Sequence, residues 1–135
     1  MSFEEVSHTA DVKIRARAPT LEALFSDAFD ALMLVMYGAS RAGTLKKEIT
    51  VTSPDIDSLL LDFLSEALFV SEVEGLVFSK ARVLIDGLNL HAELEGEPFN
   101  RQRHAKGTEV KGISYSGLFI RHDANGYMVD ILFDV

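Results

Sequence analysis

The sequence predicts an α+β domain in which two helices pack, in two layers, on a largely antiparallel or mixed sheet of about seven or eight strands. Two stretches carry apolar residues at helical spacing, and several shorter ones alternate apolar with polar residues as half-buried strands do. Asp86 and Gly87 join two of the alternating stretches, and this dipeptide is a strong hairpin signal. A length of 135 residues is typical of one domain, so we predict a single domain over residues 1–135.

The first strand is predicted at residues 12–18, where apolar side chains alternate with basic ones that form its outer face. Pro19 interrupts this pattern, and Thr20 is a plausible N-cap for a helix that runs up to Gly38. The helical spacing is carried by Leu21, Leu24, Phe25, Ala28, Leu32, Val35 and Met36. These side chains share one face of the helix, which we expect to pack against the sheet.

A second strand and a second helix follow a loop of small and polar residues at 39–45. Residues 48–52 alternate as a strand, and residues 53–55 (Ser-Pro-Asp) supply an N-cap, a proline at the first helical position and early negative charge. The second helix therefore starts there and ends near Gly75. Its core-facing side chains are Ile56, Leu59, Leu60, Phe63, Leu64, Ala67 and Leu68. Asp62 and Glu66 lie one turn apart; such a pair can serve a metal or acid/base chemistry, but the solvent-exposed face of the helix is the commoner explanation.

The second half of the chain is predicted to form sheet. The predicted strands are residues 81–85, 88–94, 109–115, 118–121 and 127–133. Turns are expected at the hairpin dipeptide, at Ser116 and Gly117, and at residues 123–126. Residues 100–107 are polar and locally basic, and we expect a loop there.

Composition narrows the range of functions. The chain has 13 Lys and Arg residues against 21 Asp and Glu residues, a formal charge of −8, which argues against broad nonspecific binding of nucleic acid. The absence of cysteine excludes disulfides, thiolate catalysis and thiolate metal sites. The N-terminus lacks the features of a signal peptide, and no stretch approaches the roughly 18 apolar residues of a membrane span. We therefore expect a cytoplasmic protein without a membrane partner.

An aspartate lies near each end of the chain: Asp11 precedes the first strand, and Asp134 is next to Val135. If the terminal strands lie side by side, these two side chains and the carboxylate of Val135 would converge. Oxygen clusters of this kind suit hard cations such as Ca²⁺ or Mg²⁺. Without a cation or a basic partner the groups would repel one another. The alternative for Asp11 is an ordinary solvated turn residue.

Three further side chains are weaker candidates for a site. Lys111 would share a strand face with Glu109, where it could partly neutralise a carboxylate pair or hold a phosphate, although a surface salt bridge is the commoner arrangement. His8 and His104 lie in segments that look specialised, and with Asp11 they suggest the hypothesis of a transition-metal site. Because the histidines lack the short spacing of a metal motif, the signal for this site is weak.

A concentrated positive segment spans residues 101–106, and it could combine with the basic face of the first strand into a patch for an anion or RNA. The side chains of such a patch are Arg101, Arg103, Lys106, Lys13, Arg15 and Arg17. Solvated loop and strand faces are the commoner explanation, and no interleaved aromatic residues offer base stacking. We therefore expect direct RNA binding to be weak or indirect. No nucleophile paired with a base is evident, so the sequence does not indicate an enzyme.

Taken in order, several segments resemble the archease family. The matching segments are SHTADV at 7–12, TLEALF at 20–25, LLLDFLSE at 59–66, GEPF at 96–99, RH at 103–104, EVKGISY at 109–115 and ILFDV at 131–135. The resemblance covers essentially the whole chain, and the combination of the first and last segments is quite specific. Three positions depart from the common family pattern: Asn100 replaces an aspartate, Gly112 an alanine and Ser116 a histidine.

The resemblance implies a small α+β protein that is not itself an enzyme. Archeases assist the GTP-dependent RtcB-type RNA ligase of tRNA splicing by promoting its guanylylation and its repeated turnover. Some archaeal members are linked to a tRNA cytosine methyltransferase as chaperone-like modulators. The family's metal-binding residues fall on Asp11, Asp134 and Val135, and its functionally important lysine falls on Lys111. The implied cofactor is a divalent cation, Ca²⁺ before Mg²⁺ or Mn²⁺.

Two other functions remain open from the residues alone. The first is a metal-dependent hydrolase or nuclease that uses the same carboxylates. The second is a plain RNA-binding module that uses Arg101, Arg103 and Lys106. Metal-dependent turnover by the isolated protein would favour the first, and salt-sensitive RNA affinity without a protein partner would favour the second.

Overall fold

The computed structural model describes residues 3–6, 11–105 and 107–135. The elements in chain order are β1 (Phe3–Val6), β2 (Asp11–Ala18), α1 (Leu21–Tyr37), β3 (Leu45–Thr52), α2 (Ile56–Glu74), β4 (Leu76–Asp86), β5 (Asn89–Pro98), α3 (Arg101–His104), β6 (Gly112–Ser114), β7 (Arg121–Asp123) and β8 (Gly126–Asp134). Within these ranges, no helix combines the length and apolarity needed to cross a bilayer.

The strands form two antiparallel sheets. The first has the order β1-β2-β8-β6, with β7 pairing to a different stretch of β8, and the second has the order β3-β5-β4. The predicted α+β class and its antiparallel pairing are confirmed, with the strands divided between two sheets. Each sheet packs one face on the helices, because α1 contacts β2 and β8 of the first sheet and β4 of the second.

The core draws side chains from both sheets and both long helices. At its centre the ring of Phe29 lies 5.9 Å from that of Phe63 and 6.0 Å from that of Phe78, and Phe25 lies 6.1 Å from Phe63. These rings are fully buried, and they join α1, α2 and β4. Burial of aromatic side chains of this size stabilises the arrangement through the hydrophobic effect and ring packing.

The helix ends follow the sequence signals closely. Thr20 caps α1 by accepting a hydrogen bond from the backbone N–H of Ala23 at 3.2 Å, as predicted. The cap of α2 is Asp55 rather than the predicted Ser53. Ser53 is buried and donates its hydroxyl to Asp62 at 2.6 Å. Pro54 therefore lies just before the N-cap and not at the first helical position, and α2 starts two residues later than predicted.

Several predicted boundaries in the second half are wrong. Of the strand predicted at residues 118–121, only Arg121 lies in a strand, as the first residue of β7; Leu118 is buried after a turn, and its N–H bonds to the carbonyl of Tyr115 at 3.2 Å. The strand predicted at 109–115 is reduced to β6, so Lys111 and Glu109 precede it and do not share a strand face. β4 starts five residues before the predicted strand. A register shift between Phe78 and Lys80 breaks the alternation there, so the first residues of β4 lack the pattern that predicts a strand.

Gly107 passes against the end of α1, and replacing it by alanine is expected to destabilise the fold. A Cβ atom at this position would overlap the carbonyl group of Met36, while the next residue, Thr108, donates its N–H to the carbonyl of Val35 at 2.8 Å. Relief of the overlap requires a backbone shift, which costs about 1–3 kcal/mol of unfolding free energy. Denaturant unfolding measures this loss. Gly112→Ala is the control, because its Cβ would meet only Asp134 Oδ2 at 3.8 Å; equal stability of the two variants would contradict the prediction.

Candidate functional site

Asp11 and Asp134 lie directly opposite each other in the pairing of β2 with β8. Side chains of directly opposed residues in an antiparallel pair point to the same face, with Cβ atoms about 4.5–5.5 Å apart. Ile14 on β2 and Ile131 on β8 are also partners, and both are buried in the core. Because odd and even positions alternate, the two aspartates project from the opposite, outer face of the first sheet.

Lys111 reaches the same end of the sheet from the other side of β8. Its backbone N–H donates to the carbonyl of Asp134 at 2.7 Å, and the next residue, Gly112, is the cross-strand partner of Asp134. The carboxylate of Asp134 lies beside Gly112, since a Cβ there would be 3.8 Å from Oδ2. Lys111 and Val135 are exposed. The structure therefore brings together Asp11, Lys111, Asp134 and Val135, which the sequence places at three separate points.

The charges at this end are not balanced by ion pairs. Among residues 3–6, 11–105 and 107–135, neither Asp11 nor Asp134 forms a salt bridge. Like charges directly opposite each other across strands destabilise a sheet, and a cation between them would remove that repulsion. No three side chains of His, Cys, Asp or Glu cluster in the described part of the chain, and the side chains opposed at this end are the two carboxylates of Asp11 and Asp134. A donor set made only of oxygens fits a hard divalent cation.

His104 does not belong to this site. Its side chain is fully buried; the N–H of Asn100 donates to Nδ1 at 2.9 Å, and Nε2 lies 3.0 Å from Glu97 Oε2. Because Nδ1 accepts, the ring proton is assigned to Nε2, which donates to Glu97. Both ring nitrogens are occupied, so the hypothesis of a transition-metal site with His104 is wrong for this structure. His8, the other histidine of that hypothesis, lies outside the described residues.

Arg103 is engaged in contacts within the molecule. Its two terminal nitrogens donate to Glu97 Oε1 and Oε2 at 2.6 and 2.7 Å, and the N–H of Ala42 donates to Oε2 at 2.7 Å. These donors, Arg103 first, hold the pKa of Glu97 below its usual range despite burial. The expected loop at 101–106 contains the helix α3, and Arg103 anchors it. Lys106 lies outside the described residues.

The basic face of β2 is partly neutralised. Arg15 donates from Nε and from a terminal nitrogen to the two carboxylate oxygens of Asp130, at 2.7 and 3.2 Å, and also lies 4.0 Å from Glu4. The guanidinium of Arg15 holds the pKa of Asp130 below its usual range. The basic patch that the sequence suggested is therefore interrupted at Arg15 and at Arg103.

Comparison with known proteins identifies clear relatives. Residues 3–135 match the model of the Archease protein family (MTH1598/TM1083). A protein archease of Methanosarcina acetivorans is 34% identical over 98% of this chain and 95% of its own length. A protein archease of Saccharolobus islandicus is 35% identical over 99% of each chain.

Two solved structures are also similar. The solution structure of protein 1598 from Methanobacterium thermoautotrophicum has a TM-score of 0.88 at 30% identity, covering 99% of each chain. The crystal structure of an archease from Thermotoga maritima, described as a possible chaperone, has a TM-score of 0.71 at 19% identity. It covers 98% of this chain and 96% of its own, and at that identity the likeness establishes the fold.

Proposed function

The chain belongs to the archease family, and we propose that it is a protein cofactor that activates a GTP-dependent RtcB-type RNA ligase in tRNA splicing or RNA repair. It promotes guanylylation of the ligase and allows it to turn over repeatedly. The observation that carries this proposal is the direct opposition of Asp11 and Asp134 at one end of the sheet, with Lys111 bonded through its backbone to Asp134. This acidic tip, defined as Asp11, Lys111, Asp134 and Val135, matches the residues that the family resemblance implies.

The acidic tip acts by contact with the ligase rather than by chemistry of its own. Asp11, Asp134 and an oxygen of Val135 would hold a divalent cation, Ca²⁺ in first place, and Lys111 stands beside them. When bound, the cation supplies a positive charge, and an anionic group of the partner can coordinate it. A modulator shifts a partner only by binding one of its states more tightly than another. The tip therefore favours the state of the ligase that accepts GTP.

The test is RNA ligation by the cognate ligase with this protein present at substoichiometric amounts. We expect the ligase to pass from a single turnover to many. A substoichiometric amount is enough because each molecule of the modulator can serve several ligase molecules. Absence of any effect would overturn the ligase proposal, and a pull-down for a tRNA cytosine methyltransferase would then be the next experiment. Metal-dependent RNA cleavage by the isolated protein would instead support the hydrolase alternative.

A further inference from the structure

Two arginines that are distant in sequence lie on either side of one methionine on the outer face of the first sheet. Met128 on β8 is the partner of Arg17 on β2 and, on its other side, of Arg121 on β7. Neighbouring strands are about 4.8 Å apart, so the two arginine Cα atoms are about 10 Å apart. Both arginines are exposed, and because they oppose the same residue their side chains share its face of the sheet.

Neither arginine is paired with a carboxylate in the part of the chain that the structure describes. Within the described ranges, Arg17 and Arg121 form no ion pair, whereas Arg15 is bound by Asp130 through two hydrogen bonds. Arg17 Nε donates to Met128 Sδ at 3.5 Å, which leaves both terminal nitrogens of that guanidinium free to bind. Arg121 contributes to lowering the pKa of Asp130, but only after Arg15 and Lys13.

The outer face of the second sheet shows the contrast. There Lys46 and Lys80 are both cross-strand partners of Glu95, and Arg82 is the partner of Glu93. Basic and acidic side chains alternate across that face, so its charges offset one another locally. The arginines on the first sheet oppose a methionine and not a carboxylate, so their positive charge is not offset across the strands, in a chain of net charge −8.

The two arginines line a cleft of about 420 Å³. Met128, Asp123 and Asn125 also line this cleft. The carboxylate of Asp123 accepts the N–H of Asn125 at 2.7 Å, which holds the turn, and it is the one acidic side chain among the residues that line the cleft. The cleft presents two guanidinium groups in a space large enough for a phosphate group.

We propose that Arg17 and Arg121 bind the phosphate backbone of single-stranded RNA across the outer face of the first sheet. Guanidinium groups bind phosphate oxygens through paired hydrogen bonds, and such contacts carry no base specificity. The occupant is a polyanion because a further positive side chain, Lys13, lies on the same face of β2, about 14 Å from Arg17 toward the acidic tip and beyond Arg15, whose charge is paired with Asp130. The choice of RNA over another polyanion rests on the proposed role beside an RNA ligase.

The test measures fluorescence anisotropy of a labelled single-stranded RNA with the isolated protein, in EDTA, from about 50 to about 200 mM salt. We expect weak, salt-sensitive binding by the wild type. The double variant Arg17→Ala/Arg121→Ala should bind about tenfold more weakly at the lower salt. Its plot of log affinity against log salt should be less steep by about 1.4, since each phosphate contact with a single strand contributes about 0.7.

The matched control is Lys80→Ala/Arg82→Ala, which removes the same charge from the second sheet and should bind RNA within about twofold of the wild type. Arg17→Lys/Arg121→Lys should retain most of the binding, because it keeps both charges.

Absence of salt-sensitive binding by the wild type, or an equal loss in the control, would overturn the proposal. Loss of ligase stimulation in the alanine variant with RNA binding unchanged would also overturn it, and would identify an acidic protein surface as the occupant. Because the ligase is absent from the binding assay, failure of RNA binding and failure of ligase activation are separate results.

Discussion

Replacing Asp11 by asparagine is expected to return the cognate RtcB-type ligase to a single turnover while leaving the fold of this protein intact. The substitution keeps the size of the side chain but removes one of the two charges that face each other at the end of the sheet. A hard cation binds an amide oxygen more weakly than a carboxylate, so the acidic tip would lose its cation at ordinary concentrations. The assay is multiple-turnover RNA ligation with the variant at substoichiometric amounts.

Asp134→Asn should behave in the same way, because it removes the other member of the pair. The matched control is Asp86→Asn, which removes an equal charge from an exposed position at the hairpin turn of the second sheet. We expect Asp86→Asn to stimulate the ligase as the wild type does. A folded Asp11→Asn protein that still supports many turnovers would refute the role of the acidic tip.

The same variant has a second readout that does not involve the ligase. In EDTA, Asp11→Asn should be more stable than the wild type by about 0.5 kcal/mol, because the repulsion between directly opposed carboxylates is removed. Saturating Ca²⁺ should then raise the unfolding free energy of the wild type by about 2.7 kcal/mol at about 100 times Kd, and that of the variant far less. Equal stabilisation of the two proteins by Ca²⁺ would place the cation elsewhere.

The convergence at the acidic tip was accessible to sequence analysis because it depends on strand ends. The sequence places an aspartate next to an alternating segment near each end of the chain, and the two aspartates converge if these two segments pair as strands. The register that opposes Asp11 to Asp134, and the position of Gly112 beyond them, were not accessible. Register is set by the burial of one face along the whole strand and by neighbouring strands, which a single alternating segment does not specify.

The contacts of Glu97 were missed for a different reason. In the sequence, Gly96, Glu97 and Pro98 mark the end of a strand, and an acidic residue there is most simply solvated. The carboxylate is instead buried, because α3 folds back and brings Arg103 and His104 onto it. A helix of four residues has no periodicity to detect, and Ala42, which also donates to Glu97 from the α1–β3 loop, is distant from it in sequence.

The Glu97 cluster and the acidic tip are connected by one segment of chain. Residues 107–111 leave α3, bond to the carboxyl end of α1 through Thr108, bury Val110 fully and then reach Lys111 at the tip. The position of Lys111 beside Asp134 therefore depends on anchors that lie before it in the chain.

Replacing Glu97 by alanine is expected to lower the free energy of unfolding by about 3 kcal/mol. The change leaves the buried ring of His104, the guanidinium of Arg103 and the N–H of Ala42 without their common acceptor. Removal of one partner from a buried charged network exposes the full desolvation cost of the groups that remain. Chemical denaturation measures the loss.

Glu48→Ala is the matched control, because Glu48 also pairs with a histidine, His91 at 3.1 Å, but on the exposed face of the second sheet. We expect that variant to lose little stability.

The pH dependence of the same contact has a definite sign. Folding lowers the pKa of Glu97, chiefly through its hydrogen bonds from Arg103. The resulting stability is complete above the unfolded pKa of about 4.3 and is lost as the pH falls through the lower folded value. Since Asp55 and Asp130 also have lowered pKa values, the informative quantity is the difference in unfolding free energy between the wild type and Glu97→Gln. That difference should be constant at neutral pH and shrink in acid below about pH 4.3. A difference that stays constant through the acid range would show that the ionised carboxylate of Glu97 does not stabilise the fold.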